Sequence, residues 1–207
     1  PFRAPHHSIS VPALIGGGRP IRPGEVTLAH GGVLFLDELP EFRRDALESL
    51  RTTLETGSVS VVRAHGRVTM PARALLVAAM NPCPCGYAGD RLRECECPAE
   101  RVARYSGRVS GPLRDRFDMH VIVPRVNGLR ETGESESSAC VRERVFQAQS
   151  FATDRGAATA PGLPELLRDL TSGAVRLLDA ASSRLRLSGR GYVKVLRLAR
   201  TIADLGE

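Results

Sequence analysis

The sequence predicts a mixed α/β domain built on a parallel sheet and followed by an all-helical domain. Two short apolar runs, at 32–37 and 74–82, end in acidic or polar residues, which is typical of strands buried on both faces of a parallel sheet. In the last third of the chain the apolar residues recur at helical spacing instead. Residues 126–136 are polar and contain few apolar side chains, as linkers do. We therefore expect domains at 1–125 and 137–207, joined by a linker at 126–136.

Local patterns indicate the further elements of the first domain. Glycine and proline are frequent in 1–30, which predicts an extended or hairpin-like insertion with little helix. Apolar residues at helical spacing predict a helix over 43–55. Alternating residues in 58–70 predict a β-hairpin with its tip at His65–Gly66. The apolar run HVIVP predicts a third short strand at 120–124.

The second domain is predicted to contain only helices. Glycine, proline and serine separate its apolar stretches, and these residues commonly end helices. The predicted helices lie at 139–152, 164–170, 173–184 and 188–205.

Composition and charge exclude some classes of protein and favour others. The chain has 207 residues, of which 42% are hydrophobic, and no apolar run approaches the roughly 20 residues that span a bilayer. The net charge of +6 comes from arginine, which binds phosphate in a bidentate manner, so polyanionic partners are favoured. A GC-rich genome is an alternative cause of the choice of arginine over lysine. Five cysteines, four of them close together, favour a reducing cytoplasm over a secreted disulfide scaffold.

An acidic pair ends the first apolar run, in GGVLFLDELPE. Ligands of open α/β sheets lie just outside the carboxyl ends of the strands. At that position Asp37 is suited to hold Mg²⁺ and Glu38 to polarise an attacking water in phosphoryl transfer. Asn81 ends the second run and is a candidate to orient that water through its side-chain amide. The alternative is a strand that simply meets solvent at two acids.

An arginine in SGPLRDRFD is a candidate to act on a neighbouring subunit. An arginine beside an acid at a helix end can reach the γ-phosphate of a neighbour and stabilise charge in the transition state. Arg116 is the preferred residue, Arg114 is its rival, and a plain surface arginine is the alternative for both.

Four cysteines in CPCGYAGDRLRECECP form a candidate zinc site. Cys83, Cys85, Cys95 and Cys97 lie close enough in sequence to bind one tetrahedral Zn²⁺. The C-x-C spacing is tighter than the usual C-x₂-C, and reduced thiols in an exposed loop are the alternative.

Two basic loops are candidates for contacts with nucleic-acid phosphates. The predicted hairpin tip carries Arg63, His65 and Arg67, and the first insertion carries Arg19 and Arg22. Phosphate contacts weaken steeply with salt. Aromatic side chains are absent from both loops, so the predicted binding is insensitive to sequence. A solvated charged hairpin is the alternative.

The order and spacing of several motifs together resemble one family. PFRAPHH, GEVTLAHGGVLFLDELPEF, NPCPCG, SGPLRDRFD and LSGRGYVKVLRLARTIADL are similar to the magnesium-chelatase-like branch of the AAA+ ATPases, and within it to the competence-related ComM (YifB-type) group. The resemblance covers nearly the whole chain. It implies a partial AAA+ P-loop NTPase core, with a parallel sheet and β-hairpin insertions, followed by an all-helical lid domain.

The resemblance also implies a role for each candidate residue. Asp37 and Glu38 match the Walker B acids, and Asn81 matches sensor 1. Arg116 matches the arginine finger, and Arg190 in LSGRGY matches sensor 2, which reaches the nucleotide from the lid. The implied ligands are ATP and Mg²⁺. The implied assembly is a hexameric ring, and the implied action is branch migration of DNA.

The sequence departs from the family pattern in its phosphate-binding loop. No G-x-x-x-x-G-K-[ST] occurs, and GGGRP at 16–20 lacks the lysine and hydroxyl residues. In the family this loop precedes PFRAPHH, so we expect the chain to begin within a longer polypeptide and to be inactive alone. Arg114 stands where the family more often has an apolar residue. Two other functions stay open, a chelatase-type motor subunit that remodels a protein partner and a non-catalytic scaffold or binding module.

Overall fold

The computed structural model describes residues 1–63, 66–124, 136–155, 162–168 and 170–206. Contacts divide the chain into two compact units, 1–125 and 126–207. The predicted linker, 126–136, lies outside the described residues except for Glu136.

The first unit combines short strands and short helices around one core. Its strands are β1 (Phe2–Arg3), β2 (Gly16–Gly17), β3 (Arg22–Pro23), β4 (Val33–Leu36), β5 (Ser58–Arg63), β6 (Gly66–Pro71) and β7 (Leu75–Ala78). Its helices are α1 (Val11–Ile15), α2 (Glu25–Leu28), α3 (Arg44–Thr56), α4 (Ala99–Ser106) and α5 (Gly111–Arg114), with a 3-10 helix at Leu39–Glu41.

A parallel three-stranded sheet forms the centre of this unit. The strand order is β1-β4-β7, and β4 pairs in parallel with both neighbours. Leu34 and Leu36 of β4 are fully buried in the core. The predicted parallel sheet is therefore confirmed. Its second strand is shorter than predicted, since β7 ends at Ala78 and Asn81 lies in the following loop.

Helix α3 covers the sheet and follows its sequence pattern closely. Leu47 and Leu50 are buried in the core, and burying each leucine side chain contributes about 2 kcal/mol. Gly57 ends the helix in the left-handed region at φ 64°, and its N–H donates to the Thr53 carbonyl. The helix predicted over 43–55 is therefore confirmed.

Two hairpins project from the core. The β5–β6 pairing runs from Ser58–Pro71 to Arg63–Gly66, which confirms the predicted hairpin over 58–70. The β2–β3 pairing is only two residues long in each strand. Helices α1 and α2 flank β2–β3, so the prediction of little helix in 1–30 was partly wrong. A proline near the start of α1 caused that error, because Pro12 is tolerated in the first helical turn and Ser10 caps the helix.

The predicted third strand at 120–124 was wrong. These residues have no regular structure, and Val121, Ile122 and Val123 are 71%, 93% and 84% exposed. A strand needs a hydrogen-bonded neighbour. Among the described residues β7 pairs only with β4, and no strand pairs with residues 120–124.

The second unit is helical in all its described elements. Leu166, Leu178 and Leu196 form its buried core. Arg155 donates to the buried Asp204 carboxylate at 2.5 Å and fixes one end of the last helix. No described helix is both long and apolar enough to cross a membrane. The helices are α6 (Ser138–Asp154), α7 (Leu163–Arg168), α8 (Ser172–Leu185) and α9 (Gly189–Gly206), close to the four predicted ranges.

Candidate functional site

The acidic pair lies at the carboxyl edge of the parallel sheet. Asp37 follows the last residue of β4 directly, and both Asp37 and Glu38 are exposed. The Ala79 N–H donates to the Leu36 carbonyl, and the Leu39 N–H donates to the Ala79 carbonyl, each at 2.9 Å. These two bonds fix the backbone on both sides of the acids.

Glu38 adopts a conformation that is uncommon for a residue with a side chain. Its φ of 52° and ψ of 46° lie in the left-handed region, at a cost of about 1–2 kcal/mol. The Glu38 N–H donates to Asp37 Oδ1 at 2.9 Å, and His7 Nδ1 lies 3.0 Å from Glu38 Oε2. The strained backbone therefore comes with two contacts that hold Glu38 in place.

The sequence did not link His7 to Glu38. The contact follows from the parallel pairing of β1 with β4, in which Phe2 lies opposite Val33. The loops after these two strands therefore emerge side by side. Such a contact depends on which strands pair, and local patterns do not report that.

Asn81 emerges from the strand next to the acids. β7 is the neighbour of β4, so the loops after these strands leave the same edge of the sheet. The hydroxyl of the buried Tyr105 of α4 lies next to the Asn81 backbone. Burial and the nearby charge of Glu41 raise the pKa of the Tyr105 hydroxyl. Tyr105 is a site residue that the sequence did not indicate.

The two candidate finger arginines have different contacts. Arg116 is mostly buried and forms an ion pair with Glu55 of α3, and its Nε has no hydrogen-bond partner. Arg114 donates from Nε to the Val109 carbonyl at 3.1 Å, and a second nitrogen donates to the Ser106 carbonyl. Arg114 is therefore tied to the end of α4, whereas Arg116 is held by a single carboxylate.

Four other predicted basic residues lie on exposed surface, and the side chain of Arg63 lies outside what the structure describes. Arg19 lies in the turn of the β2–β3 hairpin, and Arg22 is the first residue of β3. Arg67 donates to Ser60 Oγ at 2.6 Å on the β5–β6 hairpin, and Arg190 is exposed in the first turn of α9. His65, at the predicted tip, lies outside the described residues.

The four predicted zinc ligands come together in the structure. All four Sγ atoms lie within 4.8 Å of one another, and three of the pairs are 3.3–3.6 Å apart. With Zn–S bonds of about 2.3 Å, the edges of a zinc–thiolate tetrahedron are about 3.8 Å, so the cluster fits one zinc ion. The Ala88 N–H donates to Cys83 Sγ, the kind of support that metal-bound sulfur receives.

The protonation of the cluster also fits a cation site. Burial acts to raise the pKa of the Cys83 thiol, but hydrogen bonds from Cys85, Cys95 and the Ala88 N–H outweigh it and bring that pKa to about 6. For Cys95 a backbone hydrogen bond from Cys97 acts to lower the pKa, but burial and the adjacent sulfurs raise it to about 12. Adjacent thiolates repel one another, and a bound cation removes that penalty.

Family models match both units of the chain. The model for magnesium chelatase, subunit ChlI, matches residues 1–130, and the model for the C-terminal part of that subunit matches residues 135–207. The chain belongs to the magnesium chelatase subunit ChlI family.

Relatives within and beyond the ChlI family share different parts of the chain. Competence protein ComM of Haemophilus influenzae is 46% identical over 213 residues, which is 99% of this chain and 41% of ComM. YifB of Escherichia coli is 43% identical over 215 residues, which is 100% of this chain and 42% of YifB. A DNA replication licensing factor, mcm-6 of Caenorhabditis briggsae, is 28% identical over 103 residues, half of this chain and 12% of that protein. The chain therefore spans about two fifths of the length of these bacterial relatives.

We expect this ChlI-family chain to bind one zinc ion per molecule. Elemental analysis of protein purified in zinc-replete medium will show a zinc-to-protein ratio near one, because the four sulfur atoms already lie within 4.8 Å of one another. Cys83→Ser will lower the ratio and the melting temperature together. Cys140→Ser is the matched control, since Cys140 is exposed and lies on α6. A ratio near zero in the unmodified protein would contradict the prediction.

Proposed function

We propose that the chain forms most of an AAA+ ATPase module that remodels DNA by branch migration or translocation in a hexameric ring. One observation carries this proposal: Asp37, Glu38 and Asn81 emerge from adjacent parallel strands at one edge of the sheet. That edge is where open α/β sheets bind their ligands.

The residues at this edge fit a Mg–nucleotide site. Asp37 is exposed and offers carboxylate oxygen, the ligand that Mg²⁺ prefers, and Mg²⁺ would neutralise charge on the phosphates. Glu38 accepts a proton from the attacking water, and Asn81 orients that water through its amide. Arg116 acts on the nucleotide of a neighbouring subunit, and Arg190 senses nucleotide from the lid.

The phosphate-binding loop is supplied by a further segment of the protein. The outer edge of β7 exposes Leu75 and Val77, by 64% and 40%, and among the described residues it has no neighbouring strand. A strand placed there would cover these side chains. It would also give the exposed run at 121–123 a partner.

We expect the isolated 207-residue chain to hydrolyse no ATP. Its only lysine is Lys194, on helix α9, so no residue can act as the phosphate-loop lysine. Phosphate release by the purified chain will equal the buffer blank, while the full-length protein turns over ATP under the same conditions. Turnover by the isolated chain would contradict the proposed incomplete site.

We propose DNA as the substrate for two reasons, the positive net charge of the chain and the name of one of its relatives. The net charge is +6, and one matching relative is named as a DNA replication licensing factor. The β5–β6 hairpin carries Arg63 and Arg67, and the β2–β3 hairpin carries Arg19 and Arg22. Arginines on projecting hairpins suit contact with phosphates inside a ring.

We expect the full-length protein to bind branched or single-stranded DNA with an affinity that falls with salt. The double variant Arg63→Glu with Arg67→Glu will weaken binding at least about tenfold. It will also flatten the salt dependence, because a protein with fewer phosphate contacts releases fewer counterions when it binds. Arg44→Glu with Arg101→Glu is the control, since both arginines are exposed and the charge change is identical. Equal losses in both double variants would show that net charge, and not the hairpin, binds DNA.

A chelatase-type subunit is the second candidate function. The name of the matching family model favours it. Such a subunit would hydrolyse ATP, would not bind DNA and would depend on a protein partner. Salt-dependent DNA binding together with DNA-stimulated hydrolysis therefore separates the two functions. Absence of hydrolysis in the full-length protein would leave a scaffold role.

We propose a reducing cytoplasm as the location of the protein. The four free thiols in one cluster are consistent with it.

A further inference from the structure

We infer that the four-cysteine cluster is a positioning device for Asn81, and that the zinc ion bound there couples the cysteine loop to the acidic edge of the sheet. This inference rests on the proposed function, in which Asn81 orients the attacking water.

The cluster begins next to the candidate residue. Cys83 is completely buried, whereas Asn81, two residues earlier, is exposed at the sheet edge. A metal bond to Cys83 would therefore fix the backbone that leads out of β7 and carries Asn81. A side chain on an anchored backbone keeps its direction, which is what water positioning requires.

The chain returns from the cluster to the same site. Cys97 is followed by Pro98, the N-cap of α4, and the hydroxyl of Tyr105 on α4 lies next to the Asn81 backbone. Arg108, just after α4, donates to the Pro40 carbonyl at 3.2 Å and to Glu41 Oε2 at 2.7 Å. The two ends of the cysteine loop thus meet at the loops that carry Asn81 and the acids.

The acids are joined to this arrangement through Ala79. Its carbonyl and N–H bond to the residues on both sides of Asp37 and Glu38. A shift in the segment 79–83 would therefore change the geometry of the acids as well as that of Asn81.

The sulfur cluster joins the two ends of the cysteine loop. Residues 83–98 contain no helix or strand. Their contacts include an Asp90 turn, a Tyr87–Arg93 hydrogen bond at 2.9 Å and the sulfur cluster, in which Cys83 near one end meets Cys95 near the other. A metal that joins both ends of such a loop holds the ends together. The loop then has far fewer conformations available to it.

The test compares zinc-loaded and zinc-free full-length protein. Zinc is removed with a chelator under reducing conditions, and Mg²⁺ is restored by dialysis before measurement. We expect backbone amides in 79–82 and 99–108 to exchange hydrogen at least about tenfold faster without zinc, while α3 keeps its protection. Re-addition of zinc will restore the protection. Unchanged exchange in 79–82, or failure to bind zinc, would overturn the inference.

A second variant separates positioning from stability. Tyr105→Phe removes only the hydroxyl that lies next to the Asn81 backbone, so the zinc content stays at one ion per chain. We expect kcat for ATP to fall about fivefold, the loss of one hydrogen bond, with unchanged affinity for a fluorescent ATP analogue. An unchanged kcat, or a loss of affinity equal to the loss of kcat, would count against positioning.

The two proposals fail in different ways. If the full-length protein hydrolyses no ATP in any zinc state, the proposed function is wrong, and the exchange experiment still decides the coupling. If ATP is hydrolysed at the same rate with and without zinc and exchange does not change, the function stands and the coupling is wrong. Cys140→Ser serves as the thiol control in every arm, because Cys140 does not belong to the cluster.

Discussion

Replacing Glu38 by glutamine will stop ATP hydrolysis by the full-length protein and leave nucleotide binding in place. The glutamine amide cannot accept a proton from water, and loss of a general base costs about a hundredfold or more in kcat. Binding persists because Asp37, the proposed Mg²⁺ ligand, is untouched. The Glu38 contact with His7 can also persist, since an amide can donate to or accept from the imidazole that now lies 3.0 Å from Oε2.

The measurement pairs phosphate release with equilibrium binding of a fluorescent ATP analogue. Glu48→Gln is the matched control, because Glu48 lies on α3 and its only described ion pair is with Arg51 at 3.5 Å. We expect that control to behave as the unmodified protein in both assays. Hydrolysis that survives in Glu38→Gln would remove Glu38 from the mechanism. Binding and hydrolysis lost in equal measure would show a damaged fold instead.

The sequence predicts the elements whose signals are local. Helix α3 has a clear apolar stripe and a glycine that ends it, and β4 and β7 are apolar runs that end at polar loops. The cysteine cluster was predicted for a similar reason, because its four ligands lie within one loop. In each of these cases the residues that decide the structure are close in the sequence.

Features that depend on distant partners could not be predicted in this way. The run at 120–124 has the composition of a strand but no strand beside it among the described residues, so its apolar side chains stay exposed. His7 reaches Glu38 only because β1 pairs with β4. Tyr105 reaches Asn81 because the chain returns after the cysteine loop. No spacing in the sequence encodes these contacts.

Arg116→Ala will abolish ATP hydrolysis by the full-length ring, with a loss of about a thousandfold if the arginine acts as a finger. In the single chain Arg116 forms an ion pair with Glu55, and its Nε lacks a hydrogen-bond partner. Since a guanidinium carries five N–H donors, its pair with one carboxylate leaves donors for a phosphate, although the buried Nε is not one that a neighbour can reach. Nucleotide affinity is expected to stay close to normal, because in the proposed ring the arginine would contact the nucleotide of the neighbour most strongly in the transition state.

Mixing two inactive variants tests whether Arg116 acts across a subunit interface. Subunits with Arg116→Ala keep Glu38, and subunits with Glu38→Gln keep Arg116. Rings co-expressed from both, with a different tag on each, will therefore contain some complete interfaces and regain hydrolysis. If Arg116 acted within its own subunit, no interface in the mixed rings would be complete and hydrolysis would stay absent.

Arg114→Ala tests whether an arginine near the end of α5 supports the fold and does not act on the nucleotide. Arg114 donates to two backbone carbonyls at the end of α4, so its loss should lower the melting temperature and hydrolysis together. In rings mixed from Arg114→Ala and Glu38→Gln subunits, hydrolysis should be limited by the lower stability of the Arg114→Ala subunits.

Glu55→Gln completes the comparison, because it removes the ion pair and leaves Arg116 in place. If that variant keeps full hydrolysis while Arg116→Ala has none, the arginine's function lies beyond its contact with Glu55. If both variants lose activity and stability alike, the pair is structural and the finger must be sought elsewhere.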